Sequence, residues 1–161
     1  MTGASDELYS LLVPLNQERL ILPRSCVAEV VRYAPVPADA AAPPWFRGYV
    51  AWNGRQVPVI SFEELAGLTP VEPGGRTRVA IVTAIGGRLA TGFFGILTEG
   101  FPQLVRVNRD VLQPAARQAW PENGPVICQI RMINEYPLIP DLEVIEALIE
   151  DAVTPGEEVL T

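Results

Sequence analysis

The sequence predicts an all-β protein, either a barrel or a sandwich, made of short strands separated by turn residues. Short apolar runs recur at close intervals along the 161-residue chain, with Gly, Pro, Asn and Asp standing between them. Hydrophobic residues make up 48% and charged residues 19%, which supplies a core and is too apolar for a disordered chain. The length fits one domain, or two small subdomains that share a core.

The first predicted strands precede a proline-rich loop. Residues 8–15 and 20–22 form a hairpin around Asn16-Gln17. Residues 25–33 follow as either a helical turn or a strand. Four prolines fall within residues 34–44, and proline cannot pair at the centre of a sheet, so an extended surface loop is expected there.

The clearest local signal is the Asn53-Gly54 pair between the strand-like runs 48–52 and 55–60. Both residues tolerate the positive φ of a type I′ hairpin turn. Pro58 has no amide hydrogen, so we expect it at a sheet edge or at a bulge. A short helix is predicted next, over residues 62–65, and a glycine closes it.

Two more hairpins and a helix are predicted in the second half. Residues 78–85 and 88–97 flank Gly86-Gly87, and residues 125–133 and 136–139 flank Asn134-Glu135. Asp141 then suits the N-cap of a helix. The apolar residues that follow it fall on one helical face, at positions Leu142, Ile145, Leu148 and Ile149.

The charged composition excludes several classes of function. The net charge is −7, which disfavours binding to nucleic acid or to an anionic membrane surface. The chain has no His, and every basic residue is Arg. It therefore lacks the commonest general base and metal ligand, the phosphate-loop lysine and the Schiff-base lysine. We expect no enzyme activity, no cofactor and no bound metal.

The two cysteines and the N-terminus give weaker indications. Cys26 and Cys128 belong to no metal or redox spacing, and their apolar neighbours favour small core residues. The first residues lack the basic start and apolar run of a signal peptide, and no apolar stretch approaches the length of a membrane span. We therefore expect a cytoplasmic protein.

Carboxylates and aromatic residues leave alternatives open. A carboxylate-dependent hydrolase or a small-ligand-binding barrel would need two acids that face one cleft, whereas the acids here are typical of solvated faces. Trp45, Phe46, Tyr49 and Trp52 form either a local core beneath the proline-rich loop or the border of a docking surface. A third alternative is a scaffold that oligomerises through strand edges.

Three motifs in order resemble the CheW family of chemotaxis adaptors. Val27-Ala28-Glu29-Val30 is similar to that family's Val-x-Glu segment. Residues 48–62 resemble its glycine hairpin followed by a proline-containing strand, and residues 136–143 resemble its closing segment. The likeness covers about residues 8–150.

The resemblance implies two small five-stranded barrels with short helices and a C-terminal helix. It divides residues 8–150 into a first subdomain over about 8–68, a second over about 77–140 and a helix over about 141–151. Residues 1–7 are then expected to be disordered, and residues 152–161 to form a flexible acidic tail.

The resemblance also implies a function without catalysis. In this family the cytoplasmic tip of a chemoreceptor docks in the groove between the barrels, and the regulatory domain of a CheA-type histidine kinase packs against the adaptor. On this basis Val27, Glu29, Gly48, Asn53 and Gly54 are expected to border the receptor groove. Arg47, Gln56 and Val59 are expected near it or near the kinase contact.

Several departures from the family pattern favour a divergent paralogue, such as one in a system that controls type IV pili. Asn53 stands where the family usually has Arg, and Ser61-Phe62 replaces Asp-Leu. The central Asp of the later glycine motif is also absent from residues 92–99. Without the family's Arg, Glu29 is expected to pair with Arg55 or Arg32, or to stay solvated.

Overall fold

The computed structural model describes residues 7–34, 41–70, 72–108, 113–115, 119–132 and 135–160. Two β-sheets and a C-terminal helix make up the fold, which confirms the all-β prediction. Some predicted features lie wholly or partly outside the described residues: the disordered start, much of the proline-rich loop, the turn at Asn134 and the end of the tail.

One sheet has six strands in the order β8-β1-β2-β11-β10-β9. Neighbouring strands are antiparallel, except that β11 and β2 run parallel. The strands are β1 (Glu7–Pro14), β2 (Arg19–Pro23), β8 (Gln103–Asn108), β9 (Gln113–Pro114), β10 (Val126–Arg131) and β11 (Leu138–Pro140). The two-residue β9 makes this sheet one strand larger than expected.

The second sheet has five strands in the order β3-β6-β7-β5-β4. Its pairs are antiparallel except for the parallel pair of β5 and β7. A single 3-10 turn, Arg24–Cys26, leads into it, so a helical turn and a strand both occur where one or the other was expected. The strands are β3 (Val27–Arg32), β4 (Phe46–Trp52), β5 (Arg55–Ile60), β6 (Arg78–Thr83) and β7 (Phe93–Thr98).

The five-stranded sheet is a contiguous insertion into the six-stranded one. Strands β3 to β7 follow β2, and the chain then returns to add β8 to β11 beside the first hairpin. The expected ranges 8–68 and 77–140 therefore do not coincide with the two sheets. Local turn signals predict hairpins, whereas the pairing of Leu11 with Leu104 joins strands that no short-range pattern connects.

The Asn53-Gly54 turn has the predicted geometry, with φ values of 49° and 73°. Pro58 is buried inside the sheet rather than at an edge. The pairing register of β4 with β5 shifts between Phe46 and Tyr49, and Tyr49 lies opposite Pro58. A bulge therefore accompanies the missing amide of the proline, which is one of the two expected arrangements.

The described residues form three apolar cores. The largest lies between the sheets and beneath the C-terminal helix, and it includes Leu20, Phe94, Leu138, Ile145 and Ile149. A second core belongs to the six-stranded sheet and contains Leu12, Ile21, Val107 and Ile130. The third fills the five-stranded sheet with Val57, Val59, Val79 and Ile81.

The C-terminal helix, Leu142–Leu160, begins at the predicted N-cap, because the Asp141 carboxylate accepts the amide of Val144 at 3.2 Å. Its backbone continues beyond the expected end at residue 151. The short helix Phe62–Leu65 also matches the prediction, and the Ser61 hydroxyl accepts the amide of Glu64 at its start.

A buried carboxylate fastens the C-terminal helix to the connection between β6 and β7. Glu146 is completely buried and accepts the backbone N–H groups of Gly86 at 2.7 Å and Arg88 at 3.0 Å. The Arg88 guanidinium also pairs with Glu150, one helical turn further on, at 3.2 Å. The helix is thus held to the loop by one buried and one exposed carboxylate.

Candidate functional site

Glu29 and Trp52 join the two edge strands of the five-stranded sheet. Strands β3 and β4 are the first and last in the order of that sheet. The indole Nε1 of Trp52 donates a hydrogen bond to Glu29 Oε1 at 2.8 Å, across 23 residues of sequence. Glu29 also remains exposed. The partner of Glu29 is therefore Trp52, and the expected pairing with Arg55 or Arg32 is not the one that forms.

Two further side chains extend this contact to β7. The ring of Phe93 meets Trp52 edge to face, with centroids 4.8 Å apart. The Arg55 guanidinium lies 5.4 Å above the Phe93 ring and donates to the carbonyl of Thr91 at 2.9 Å. We call the set Glu29, Trp52, Arg55 and Phe93 the barrel rim. It connects β3, the β4–β5 hairpin and the start of β7.

Part of the set that the sequence predicted as an interface lies in the barrel rim or beside it. Asn53 and Gly54 follow Trp52 directly and are exposed, and Gln56 is exposed on β5 beside them. Val27 lies at the start of β3, where its half-buried side chain packs against the core between the sheets. Exposed polar residues and the half-buried apolar side chain of Val27 therefore lie together at this end of the sheet.

Three predicted residues neither belong to the barrel rim nor lie on the exposed surface beside it. Val59 is fully buried in the core of the five-stranded sheet, because it alternates with Pro58 and shares the inward face with Val57, so it offers no side chain to a partner. Arg47 stands towards the other end of β4, where it pairs with Glu64 and donates to the carbonyl of Pro44 at 3.1 Å. Gly48 follows it at the bulge with a φ of 89°, which explains the need for glycine there.

The aromatic cluster divides between the two roles proposed for it. Trp45 packs against the core between the sheets, whereas 47% of Tyr49 is exposed. Phe46 lies between them, with ring centroids 6.4 Å from Trp45 and 5.5 Å from Tyr49, both edge to face. One end of the cluster is therefore core, and the other end is a surface that could take part in docking.

Trp52 was not among the individual residues predicted to form the interface. It was part of the aromatic cluster, and its alternation with Val50 indicates an inward-facing side chain. Its contact with Glu29 depends on the approach of two edge strands, which no local pattern encodes. Phe93 was not predicted for the same reason.

Three features of the described part of the chain bear on the hydrolase alternative. No group of three or more His, Cys, Asp or Glu residues there could hold a metal ion. A small polar hollow beside the first hairpin contains Glu18 and Glu135, and Arg19 already pairs with Glu135 at 3.0 Å. Cys26 and Cys128 are free thiols, and burial raises the pKa of the Cys26 thiol, which disfavours the reactive thiolate.

Glu63 is a second buried carboxylate, at the junction of the short helix with the first hairpin. Its Oε2 accepts the backbone amide of Asn16 at 2.6 Å. Burial raises the pKa of Glu63, and the Asn16 amide opposes that shift. The nearby carboxylates of Glu99 and Glu64 raise the pKa further, whereas Arg47 lowers it.

Because the folded-state pKa of Glu63 is raised, the native state holds this proton more tightly than the unfolded chain does. The resulting stability is fully present below the unfolded pKa, about 4.3, and is lost as the pH rises through the folded pKa. We expect the unfolding free energy of Glu63→Gln to fall less as the pH rises, because the glutamine side chain does not titrate. Its amide oxygen can still accept from Asn16 and keep a bond of about 1 kcal/mol.

Urea unfolding of both chains from pH 4 to pH 8 measures the effect. The difference in unfolding free energy between variant and wild type should grow in favour of the variant as the pH rises. Glu122→Gln, at an exposed position, is the matched control and should leave the pH profile unchanged. A Glu63→Gln profile parallel to that of the wild type would contradict the assignment.

Comparison with known proteins gives one family and one fold. A family model described as "CheW-like domain" matches residues 10–147. Among solved structures, the crystal structure of the scaffolding protein TtCheW from Thermoanaerobacter tengcongensis is similar. It has a TM-score of 0.68 and 17% sequence identity, and the match covers 84% of each chain. No curated protein matches the sequence. None of the helices in the described ranges has the length and apolarity needed to span a membrane.

Proposed function

Since the chain belongs to the CheW-like domain family, we propose that it is a non-catalytic adaptor in a bacterial chemosensory array. In this role it couples the cytoplasmic tip of a chemoreceptor to the regulatory domain of a CheA-type histidine kinase. Its place of action is then the cytoplasm, and its output is motility, with a system that drives type IV pili as the more specific case.

The barrel rim is the observation that carries this proposal. It places the exposed carboxylate of Glu29 beside the exposed turn Asn53-Gly54 and beside Gln56. Such a surface can form hydrogen bonds with a partner and needs no activated nucleophile or metal. Tyr49, on the neighbouring part of β4, adds an exposed aromatic side chain of the kind that anchors protein interfaces.

The carboxylate-dependent hydrolase has weaker support. A hydrolase of that class needs two acids that converge on a cleft, one of them with a raised pKa. Glu63 has the raised pKa, but it is buried and hydrogen-bonded to Asn16. The polar hollow beside the first hairpin is lined by other residues, and one of its two acids is paired with Arg19.

We expect Glu29→Arg to weaken binding to receptor and kinase fragments by about 10-fold, because it reverses the charge at the centre of the surface. Isothermal titration calorimetry with the cognate receptor tip and the kinase regulatory domain measures this. Glu72→Arg makes the same charge change at an exposed position on the connection before β6 and should bind like the wild type.

Thermal unfolding of both variants separates a contact from a structural role. If Glu29→Arg binds more weakly but keeps the wild-type melting temperature, the result supports the barrel rim as the binding surface. If the wild-type chain bound neither fragment, the adaptor role itself would be wrong. If Glu29→Arg and Glu72→Arg bound equally well, the adaptor role would stand and the barrel rim would not be its site.

A further inference from the structure

We infer that Trp52 is the positioning residue of the partner surface, and that its indole N–H fixes Glu29 and strand β3 against the β4–β5 hairpin. This inference rests on the proposed function, because it names the residue that holds the surface in a binding-ready shape. In this role Trp52 need not contact the partner itself, because it acts through Glu29.

The topology leaves the two edge strands of the five-stranded sheet, β3 and β4, without a backbone link to each other. The five-stranded sheet curls around its own apolar core, to which Val31 of β3 and Val50 of β4 both contribute. Yet β3 and β4 are opposite edges of the sheet, and each finds its backbone partner elsewhere, β3 in β6 and β4 in β5. Side chains must therefore hold the two edges together.

Trp52 is placed to do this. Its ring packs on the core of the five-stranded sheet and meets Phe93 edge to face at 4.8 Å, so the indole is held from within. Its N–H then points to β3 and reaches Glu29 Oε1 at 2.8 Å. A rigid aromatic ring loses little conformational entropy, so it can hold two strands together at a lower entropic cost than a long flexible side chain.

The register of β3 makes its start depend on this tie. Pairing between β3 and β6 shifts between Val27 and Glu29, so the strand is irregular where it enters the surface. Glu29 lies immediately after this irregularity and is the residue that Trp52 holds. Without the indole N–H, the side chain of Glu29 and the start of β3 gain freedom that a partner must then remove on binding.

The substitution Trp52→Phe tests the inference, because it keeps an aromatic ring against Phe93 and removes the N–H. We expect a loss of about 5-fold in affinity for the kinase regulatory domain, in line with one partly exposed hydrogen bond to a carboxylate. Amide hydrogen exchange across residues 27–32 of the free chain should quicken by roughly 5-fold.

The chain offers a matched control in Trp120→Phe. The indole nitrogen of Trp120 is buried and makes no hydrogen bond within the described residues, so the same substitution removes an N–H that bonds nothing there. We expect wild-type affinity and wild-type exchange in β3. A loss of affinity equal to that of Trp52→Phe would show that tryptophan replacement in general, rather than the tie to Glu29, weakens binding.

A double-mutant cycle distinguishes positioning from general stability. If Trp52 acts through Glu29, then Trp52→Phe should have no further effect on affinity in a Glu29→Ala background. Glu29→Gln should keep β3 protected, since its amide oxygen can still accept from the indole. Additive losses, or faster exchange with unchanged affinity, would overturn the inference.

The exchange measurement needs no partner, so it keeps the two proposals apart. If the wild-type chain failed to bind receptor and kinase fragments, the adaptor role would fall, and the exchange of β3 in Trp52→Phe would still decide whether the indole N–H holds that strand. If binding held and Trp52→Phe changed neither exchange nor affinity, only the inference about Trp52 would fall.

Discussion

Glu146→Ala should lower the free energy of unfolding by about 3 kcal/mol, since it removes two hydrogen bonds to a buried carboxylate. The side chain is completely buried, and its two oxygens satisfy the amides of Gly86 and Arg88. Gly86 allows this approach, because a Cβ atom there would lie only 3.0 Å from both carboxylate oxygens. The loss therefore detaches the C-terminal helix from the β6–β7 connection.

Urea unfolding followed by circular dichroism measures the change. Glu150→Ala is the matched control, since it removes a carboxylate one turn along the same helix, which pairs with Arg88 at the surface. An exposed pair of this kind contributes at most about 1 kcal/mol. Equal losses for the two variants, or none for Glu146→Ala, would mean that the cost of burying the Glu146 carboxylate offsets its hydrogen bonds.

Gly95→Ala should cost about 2–3 kcal/mol of stability through overpacking. Gly95 is buried in β7 between β6 and β5. A Cβ at this position would lie 2.5 Å from Cγ1 of Val79 and 3.3 Å from Cγ2 of Val59, so the neighbouring strands would have to move apart. This part of the sheet packs closely because one residue lacks a side chain.

Relief of the clash provides the critical test. In a Val79→Ala background the obstructing methyl group is absent, so Gly95→Ala should cost much less than it does alone. Gly74→Ala is the control, because a Cβ there meets no atom within 4 Å, and its effect should stay within about 0.5 kcal/mol. Strictly additive losses for Gly95→Ala and Val79→Ala would contradict the packing explanation.

Local features of the fold could be predicted from the sequence, because their causes are local. Asn53-Gly54 specifies a turn through the backbone preferences of two adjacent residues, and Asp141 caps a helix through its own side chain. The six-stranded sheet could not be foreseen in the same way. Its parallel contact between β11 and β2 joins Leu138 to Leu20, and many other pairings would satisfy the same apolar pattern.

The buried carboxylate shows a signal that sequence reasoning overlooked. Glu146 lies four residues after Leu142 and three before Ile149, so it falls on the apolar face of the helix. A charged residue in that position calls for a buried partner. The identity of the partner, the backbone of Gly86 and Arg88, depends on tertiary packing and could not be read from spacing.

The predicted site shows a similar division. Glu29 and the Asn53-Gly54 turn were identified by resemblance, and the structure places them at one end of the five-stranded sheet. Val59 was assigned to the surface, although its alternation with Val57 indicates a shared inward face, and both are fully buried. The link through Trp52 required the closure of the sheet, which the sequence does not express.

The insertion of one sheet into the other also orders the assembly of the protein during its synthesis. The five-stranded sheet is complete once Thr98 has left the ribosome, so it can pair its backbone early. Strands β1 and β2 emerge before it, yet their outer partners β8 and β11 emerge after it. A lone two-stranded hairpin is marginally stable in water. Strands β1 and β2 are therefore made before the five-stranded sheet but secured after it. The nascent chain carries two unsatisfied strand edges until Gln103–Asn108 emerges, and one until Leu138–Pro140 follows.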